Sequence, residues 1–123
     1  MTARFRPSDF ADGIPGPAGQ RFTTVFEHGT LTVELYAPVG ADLQTPHSRD
    51  EAYMVIRGTG VFVHGSERET FGPGDFLFAP AAQPHRFEEF TNDILVWVIF
   101  YGPEGGESTF ANTKTATVWP PFA

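Results

Sequence analysis

Pro46-His47-Ser48-Arg49-Asp50-Glu51-Ala52-Tyr53-Met54-Val55-Ile56-Arg57-Gly58 and Gly74-Asp75-Phe76-Leu77-Phe78-Ala79-Pro80-Ala81-Ala82-Gln83-Pro84-His85 are the two runs that decide how this chain is read. Each carries a short apolar stretch closed off by breakers, as a strand does. Each also carries residues able to bind a metal. His47 and Glu51 stand four apart where one strand begins, and His85 opens another. Successive side chains on a strand point to opposite faces, so Glu51, Tyr53 and Val55 share one face, and His85 shares its face with Phe87 and Glu89. Two imidazoles and one carboxylate are the ligand types of a site that keeps open positions for water, oxygen or substrate. Fe(II) is its commonest occupant, and Zn, Mn and Ni accept the same donors. On spacing alone the plainer reading weighs more: surface histidines, and one core histidine bonded to backbone.

The same strand-and-breaker pattern extends outward in both directions. Val61 to His64 and Glu67 to Phe71 pair across Gly65-Ser66, and Pro73-Gly74-Asp75 turns the chain into Phe76 to Ala79. Arg86 to Phe90 and Ile94 to Tyr101 follow, split by Thr91-Asn92-Asp93. Upstream, Gln20 to Glu27 and Thr30 to Ala37 flank a tight turn at His28-Gly29. In the second of these, Leu31, Val33 and Leu35 alternate with Thr32, Glu34 and Tyr36. No window carries a helical stripe. Many short strands at regular spacing mean a sandwich or a barrel. Residues 1–19 hold Pro7, Gly13, Pro15, Gly16, Pro17 and Gly19 and read as an arm that cannot hold a helix. Residues 20–101 form the barrel domain. Residues 102–123 are a tail that ends in Val118-Trp119-Pro120-Pro121-Phe122.

Composition sets the outer bounds. A chain of 123 residues fits one domain and can bury a core without staples. Thirteen Phe, three Tyr and two Trp supply much of that core. There is no Cys, so disulfides are excluded. The net charge of −7 repels phosphate backbones and argues against a nucleic-acid partner. No stretch approaches the roughly 20 apolar residues of a membrane span. Residues 1–10 carry no apolar run of a secretory signal, so the expected location is the cytoplasm.

The two runs resemble the paired motifs of the cupin superfamily. In the first, His47, Glu51 and Gly58 fall on the family's second His, its Glu and its closing Gly; in the second, Gly74, Pro80 and His85 fall on its Gly, Pro and His. The resemblance implies an all-β fold, a double-stranded β-helix or jelly-roll barrel of two antiparallel sheets. It also implies a divalent transition metal held by His47, Glu51 and His85. The departures are specific. Thr45 stands where the family has its first metal-binding His, and Gly40 is one residue too close for the usual first Gly. Ala82 stands where Gly is typical and Glu89 where Asn is typical. The Thr45 change removes one of four expected ligands and leaves a triad, or a barrel without metal. Gln44 carries an oxygen donor, but alternation from Thr45 turns it the other way. An immunoglobulin-like sandwich fits the strand count and not the paired motifs.

The resemblance implies a metal-dependent enzyme on a small organic molecule, with oxygen-dependent, dioxygenase-like chemistry first. A ligand-binding or sensor module without turnover, or a metal-dependent isomerase or lyase, is the alternative. Tyr53 and Arg49 are the candidate catalytic residues, to orient substrate beside the metal; Tyr53 also reads as a core aromatic. Arg86, next to an inward His85, is expected to be exposed. Arg57 shares the Glu51 face and reads as a buried counter-ion. Phe76, Phe78 and Phe87 read as core, and Trp97 as lining either the barrel or an interface. His28 and His64 sit at turns and read as solvated bystanders. Small cupins commonly pair, so a homodimer is expected. Phe5 and Phe10 in the arm, with Trp119 and Phe122 in the tail, would anchor it.

Overall fold

A computed structural model describes residues 2–108, and Trp119 and Phe122 lie outside that range. Eight strands run in order: β1 (Phe22–His28), β2 (Leu31–Tyr36), β3 (Asp50–Arg57), β4 (Gly60–His64), β5 (Glu67–Phe71), β6 (Phe76–Ala79), β7 (His85–Glu88) and β8 (Leu95–Tyr101). Every pairing is antiparallel. One sheet has the order β1-β2-β8-β3-β6 and the other β5-β4-β7. This is the jelly-roll barrel expected. The arm holds two three-residue 3-10 turns, Pro7–Asp9 and Ala11–Gly13, shorter than any helix its breakers forbid. Among the described residues no helix is long and apolar enough to cross a membrane.

The two sheets close on an aromatic plug. Tyr53 and Val55 from β3 meet Phe62, Phe71 and Phe87 from the smaller sheet, all almost fully buried. The Tyr53 ring lies 5.0 Å from Phe87 and 5.8 Å from Phe62, edge to face in both cases. Inward residues line up in rows across the larger sheet. Thr32, Phe100, Glu51 and Ala79 form one row, and Glu34, Val98, Tyr53 and Leu77 the next. The apolar rows plug one end of the barrel. The row with Thr32 and Glu51, together with Glu34 and Val98 of the next, lines a cavity at the other.

One side chain departs from simple alternation, and one aromatic expected in the core follows alternation outward. The β3–β8 register shifts between Val55 and Arg57. A bulge there turns the following side chain to the other face. Arg57 is therefore exposed, with its Nε donating to the Asp93 carbonyl at 2.9 Å, and is not a counter-ion to Glu51. Phe76 precedes the inward Leu77 and so points outward, 62% exposed, instead of joining the core. Phe87 is core, as expected. Gly58 closes the bulge at φ 92°, where a Cβ would sit 2.7 Å from the Ile94 Cα, so only glycine fits.

Ala82 (φ 65°) and Glu89 (φ 51°) are, among the described residues, the two non-glycines in the left-handed region. They are the two positions where the family pattern has Gly and Asn, residues that tolerate it. The turn at Glu89 also ends β7 at Glu88, two residues before the apolar pattern stops. A left-handed L-residue costs roughly 1–2 kcal/mol, and glycine's added chain entropy gives back roughly 0.5–1. Ala82→Gly is expected to stabilise the fold by up to ~1 kcal/mol. Thermal melts should show a rise of a few degrees, and an unchanged or lower Tm contradicts the strain.

Candidate metal centre

β3 and β7 belong to different sheets, and barrel closure brings Glu51 against His85. His47 reaches them from the irregular segment before β3. One donor atom from each of the three lies within 4.8 Å of the others. His85 Nε2 is 2.8 Å from Glu51 Oε1, and His47 Nε2 is 3.7 Å from the same oxygen. Glu51 is 1% exposed and His85 6%, while His47 is half-buried, edge-on to Phe100 at 4.7 Å.

Backbone contacts hold the two motifs together. The Ala82 N–H donates to the His47 carbonyl at 2.6 Å. Asp50, buried beside Glu51, accepts from the Ala81 N–H and the Glu107 N–H, both at 2.9 Å. The turn before His85 is thereby fixed to the start of β3. Sequence reading passed over Asp50 because an Asp at a strand start looks solvated.

The donors fit a metal. His85 Nδ1 donates to the Gln83 carbonyl at 2.8 Å, which points Nε2 at the site. Among the described residues, His85 Nε2, Glu51 Oε1 and Glu51 Oε2 are buried with no hydrogen-bond partner of good geometry. The His85–Glu51 separation is that of a bond, but the alignment is not. Buried polar atoms are normally satisfied, so three converging orphans mark a place for a cation.

Burial pulls the His85 pKa down, but the contact with Glu51, the Gln83 carbonyl and the charges of Glu51 and Asp42 outweigh it, and the net shift is upward from 6.5. The proton must leave Nε2 before a metal can bind. Metal affinity is therefore complete above the raised value and falls as pH drops through it, beginning above 6.5. In the metal-free protein the linkage has the opposite sense. The raised imidazole stabilises the fold below 6.5, and that contribution is lost as pH rises through its folded value. Calorimetric metal titrations in buffers of different ionisation heat should show proton release at pH 6.5 and below that fades as pH rises through the raised His85 value. Absence of release at every pH contradicts this.

A cavity of ≈ 660 Å³ opens onto Glu51 and His47, walled by Val98 and Phe100 and by β2. Its volume is that of a small-molecule site. Thr45 lines it and is exposed. Gln44 lines it too, against the alternation argument, because residues 42–49 form no regular strand. Its Nε2 donates to Asp42 Oδ2 at 2.9 Å, and its Oε1 accepts from the Tyr53 hydroxyl at 2.8 Å. Tyr53, read either as a pocket hydroxyl or as a core aromatic, is fully buried behind the wall and touches Gln44. Burial first, then the charge of Glu51, hold its hydroxyl well above the usual range, so it stays protonated. Arg49 lines the cavity, with its guanidinium donating to the Thr30 carbonyl and, at 3.4 Å, to Thr32 Oγ1. Arg86 is exposed and paired with Glu88. His28 is exposed; His64 lies outside the cluster, 2.6 Å from Glu69 Oε2.

Asp42 organises this wall and was missed in the sequence, where it looks like any loop acid. It accepts from the Tyr36 hydroxyl, from both nitrogens of Gln44 and, at 2.7 Å, from the Phe87 N–H on β7. Arg21 and Glu34 were missed as well, although both line the cavity. Period two did separate Glu34 from Val33 and Leu35; the interior position of its face was the missing step.

Comparison with known proteins agrees with this architecture. The family profile described as Cupin domain matches residues 32–101, which is more than half of the chain. The uncharacterized protein SCO3923 of Streptomyces coelicolor is 36% identical over 76 residues, 60% of this chain and 72% of its own length. The structure of TT1209 from Thermus thermophilus superposes with a TM-score of 0.63 at 23% identity, covering 81% of this chain and 97% of that one. KdgF from Halomonas sp. gives 0.58 at 22% identity, covering 65% and 76%. At those identities the two structures speak to the fold alone.

Proposed function

The chain belongs to the cupin domain family, and from that premise we propose that it is a metal-dependent enzyme acting on a small organic molecule by oxygen-dependent chemistry. One observation carries the reading: the unpartnered donors of Glu51 and His85 converge with His47 at the edge of a ≈ 660 Å³ cavity. His47, Glu51 and His85 would hold a divalent transition metal, Fe(II) first, which would supply Lewis-acid and oxygen-binding chemistry there. The chain's own residues do the rest. Val98 and Phe100 keep water from one wall. Gln44, held by Asp42 and Tyr53, presents a fixed amide to the bound molecule. Arg49 places a positive charge in the cavity wall, against Thr30 and Thr32. The test is metal analysis of protein purified without chelator or a nickel column, followed by oxygen-uptake assays on Fe(II)-loaded protein with small organic acids, alcohols and amines. Stoichiometric transition metal with uptake supports the reading. Metal-free protein overturns it in favour of a binding module.

We also propose a homodimer. Phe5 does not need a neighbour: it packs 5.1 Å from Phe26 and 6.2 Å from Phe10 of its own chain. The larger sheet offers another route. Met54 and Phe76 oppose each other across β3 and β6 on its outer face, 44% and 62% exposed, and Trp97 pairs with Met54 from β8. An exposed apolar patch of this kind can pair with its own copy about a two-fold axis. Light scattering at micromolar concentration should give a dimer, and Phe76→Glu a monomer. A monomeric wild type removes the proposal.

A further inference from the structure

We infer that the cavity takes a small organic carboxylate, gripped by the free end of the Arg21 guanidinium. The inference rests on the site proposed above and names the class of its substrate.

Arg21 stands just before β1, half-buried, and lines the cavity. Its Nε donates to the Ala37 carbonyl at 2.7 Å, beyond the last residue of β2. That one bond fixes the plane of the guanidinium. The two terminal nitrogens have no partner among the described residues, and no carboxylate pairs with this side chain. A guanidinium anchored through Nε with both ends open presents the parallel donors that a carboxylate accepts two-pronged. Arg49 differs, since both its terminal nitrogens are engaged on the Thr30 carbonyl and Thr32. It contributes charge, and Arg21 contributes the grip.

The acids in the cavity leave Arg21 open. Glu51 faces the two histidines. Glu34 lies on the inward face of β2 between the Arg49 anchor at Thr32 and the Arg21 anchor at Ala37, yet pairs with neither arginine. Burial first, then the charges of Glu51 and Glu27, shift Glu34 upward from the ordinary carboxylate value. The two anchors are five residues apart along β2, or roughly 16 Å at the rise of a strand. Arg21 and the pair His47 and Glu51 line the same cavity, so a carboxylate held on Arg21 stays in the compartment that opens onto the metal ligands. The net charge of −7 repels anions at long range, so selection must come from this local fork.

The test uses the full chain loaded with Zn, which is redox-inert. Succinate, L-malate and glutarate, and the uncharged diamide of each, are titrated by calorimetry. At least one acid is expected to bind about tenfold or more tightly than its amide, the size of a charge-assisted hydrogen bond to a buried-side guanidinium. Arg21→Gln should remove that preference with Zn content unchanged, and Arg21→Lys, which keeps the charge without the fork, should retain part of it. Acids that bind no better than their amides overturn the inference from the wild type alone, whatever the variants do. So does Arg21→Gln binding acids as tightly as wild type. Acid preference in a protein that takes up no Zn would sink the metal reading and leave this one standing; Zn bound without acid preference would do the reverse.

Discussion

Glu51→Gln is expected to abolish stoichiometric metal binding and, in the same protein, to raise the stability of the metal-free fold where His85 is neutral. The two effects share a cause. Glu51 is 1% exposed, and neither carboxylate oxygen has a hydrogen-bond partner of good geometry, although His85 Nε2 lies 2.8 Å from Oε1. A buried carboxylate in that state is held at a cost, because burial disfavours the charge and His85 offers only partial compensation. A metal removes that cost by accepting both donors. Gln removes it differently, since its amide N–H can donate to His85 Nε2, whose ring is already oriented by the Gln83 carbonyl. Loss of a charged ligand should weaken metal binding by more than the roughly 10–100-fold that the loss of an outer partner costs. The metal-free variant should melt above metal-free wild type where His85 is neutral, since no buried charge is then left unpaired; where His85 is charged, loss of its partner should cost stability instead. Melting curves with and without chelator check both. Wild type should lose Tm on chelation and regain it with metal, by mass action; the variant should not respond. A variant that still responds to metal, or melts below the metal-free wild type where His85 is neutral, removes the assignment. His85→Ala should likewise lose the metal, whereas His64→Ala should keep it, because His64 is paired with Glu69 outside the cluster.

Much of this was legible in the sequence. All eight strands fell where apolar runs met Gly, Pro or Asn breakers, because those residues set backbone geometry locally. The triad was legible too, from the motif resemblance more than from spacing, since nothing local says that β3 and β7 close on each other. What sequence left open has a common physical source. Period two distinguishes two faces of a strand, but it does not say which is interior when the interior holds a polar cavity. Leu31, Val33 and Leu35 look like the core face of β2, yet Thr32, Glu34 and Tyr36 line the cavity. The bulge before Arg57 defeated alternation in another way, by inserting a residue that no pattern announces. Gln44 and Asp42 lie in a segment without regular structure, where alternation has no force; their hydrogen bonds to Tyr53, Tyr36 and β7 exist only after folding. Arg21 sits at the edge of the breaker-rich arm, and the Ala37 carbonyl that fixes it is on the other side of a hairpin.

Thr45→His separates an enzyme from a binding module more sharply than any deletion does. Thr45 lines the cavity with His47, and Pro46 between them disfavours helical backbone at Thr45. An imidazole at this position adds a fourth donor to His47, Glu51 and His85. One added donor bond of ordinary strength should tighten metal binding by roughly tenfold or more, at about 1.4 kcal/mol per decade. The added ligand takes up a coordination position that the three-ligand site leaves open. In an enzyme that uses open positions for its chemistry, affinity for metal then rises while turnover falls. In a binding module there is no turnover to lose, and the substitution adds a metal-dependent rise in Tm and nothing else. Metal titration by calorimetry and oxygen uptake by the Fe(II)-loaded variant read the two outcomes on one preparation. A fall in metal affinity on Thr45→His would mean that the imidazole displaces a donor instead of joining the set, and the geometry assigned to His47, Glu51 and His85 would have to be abandoned.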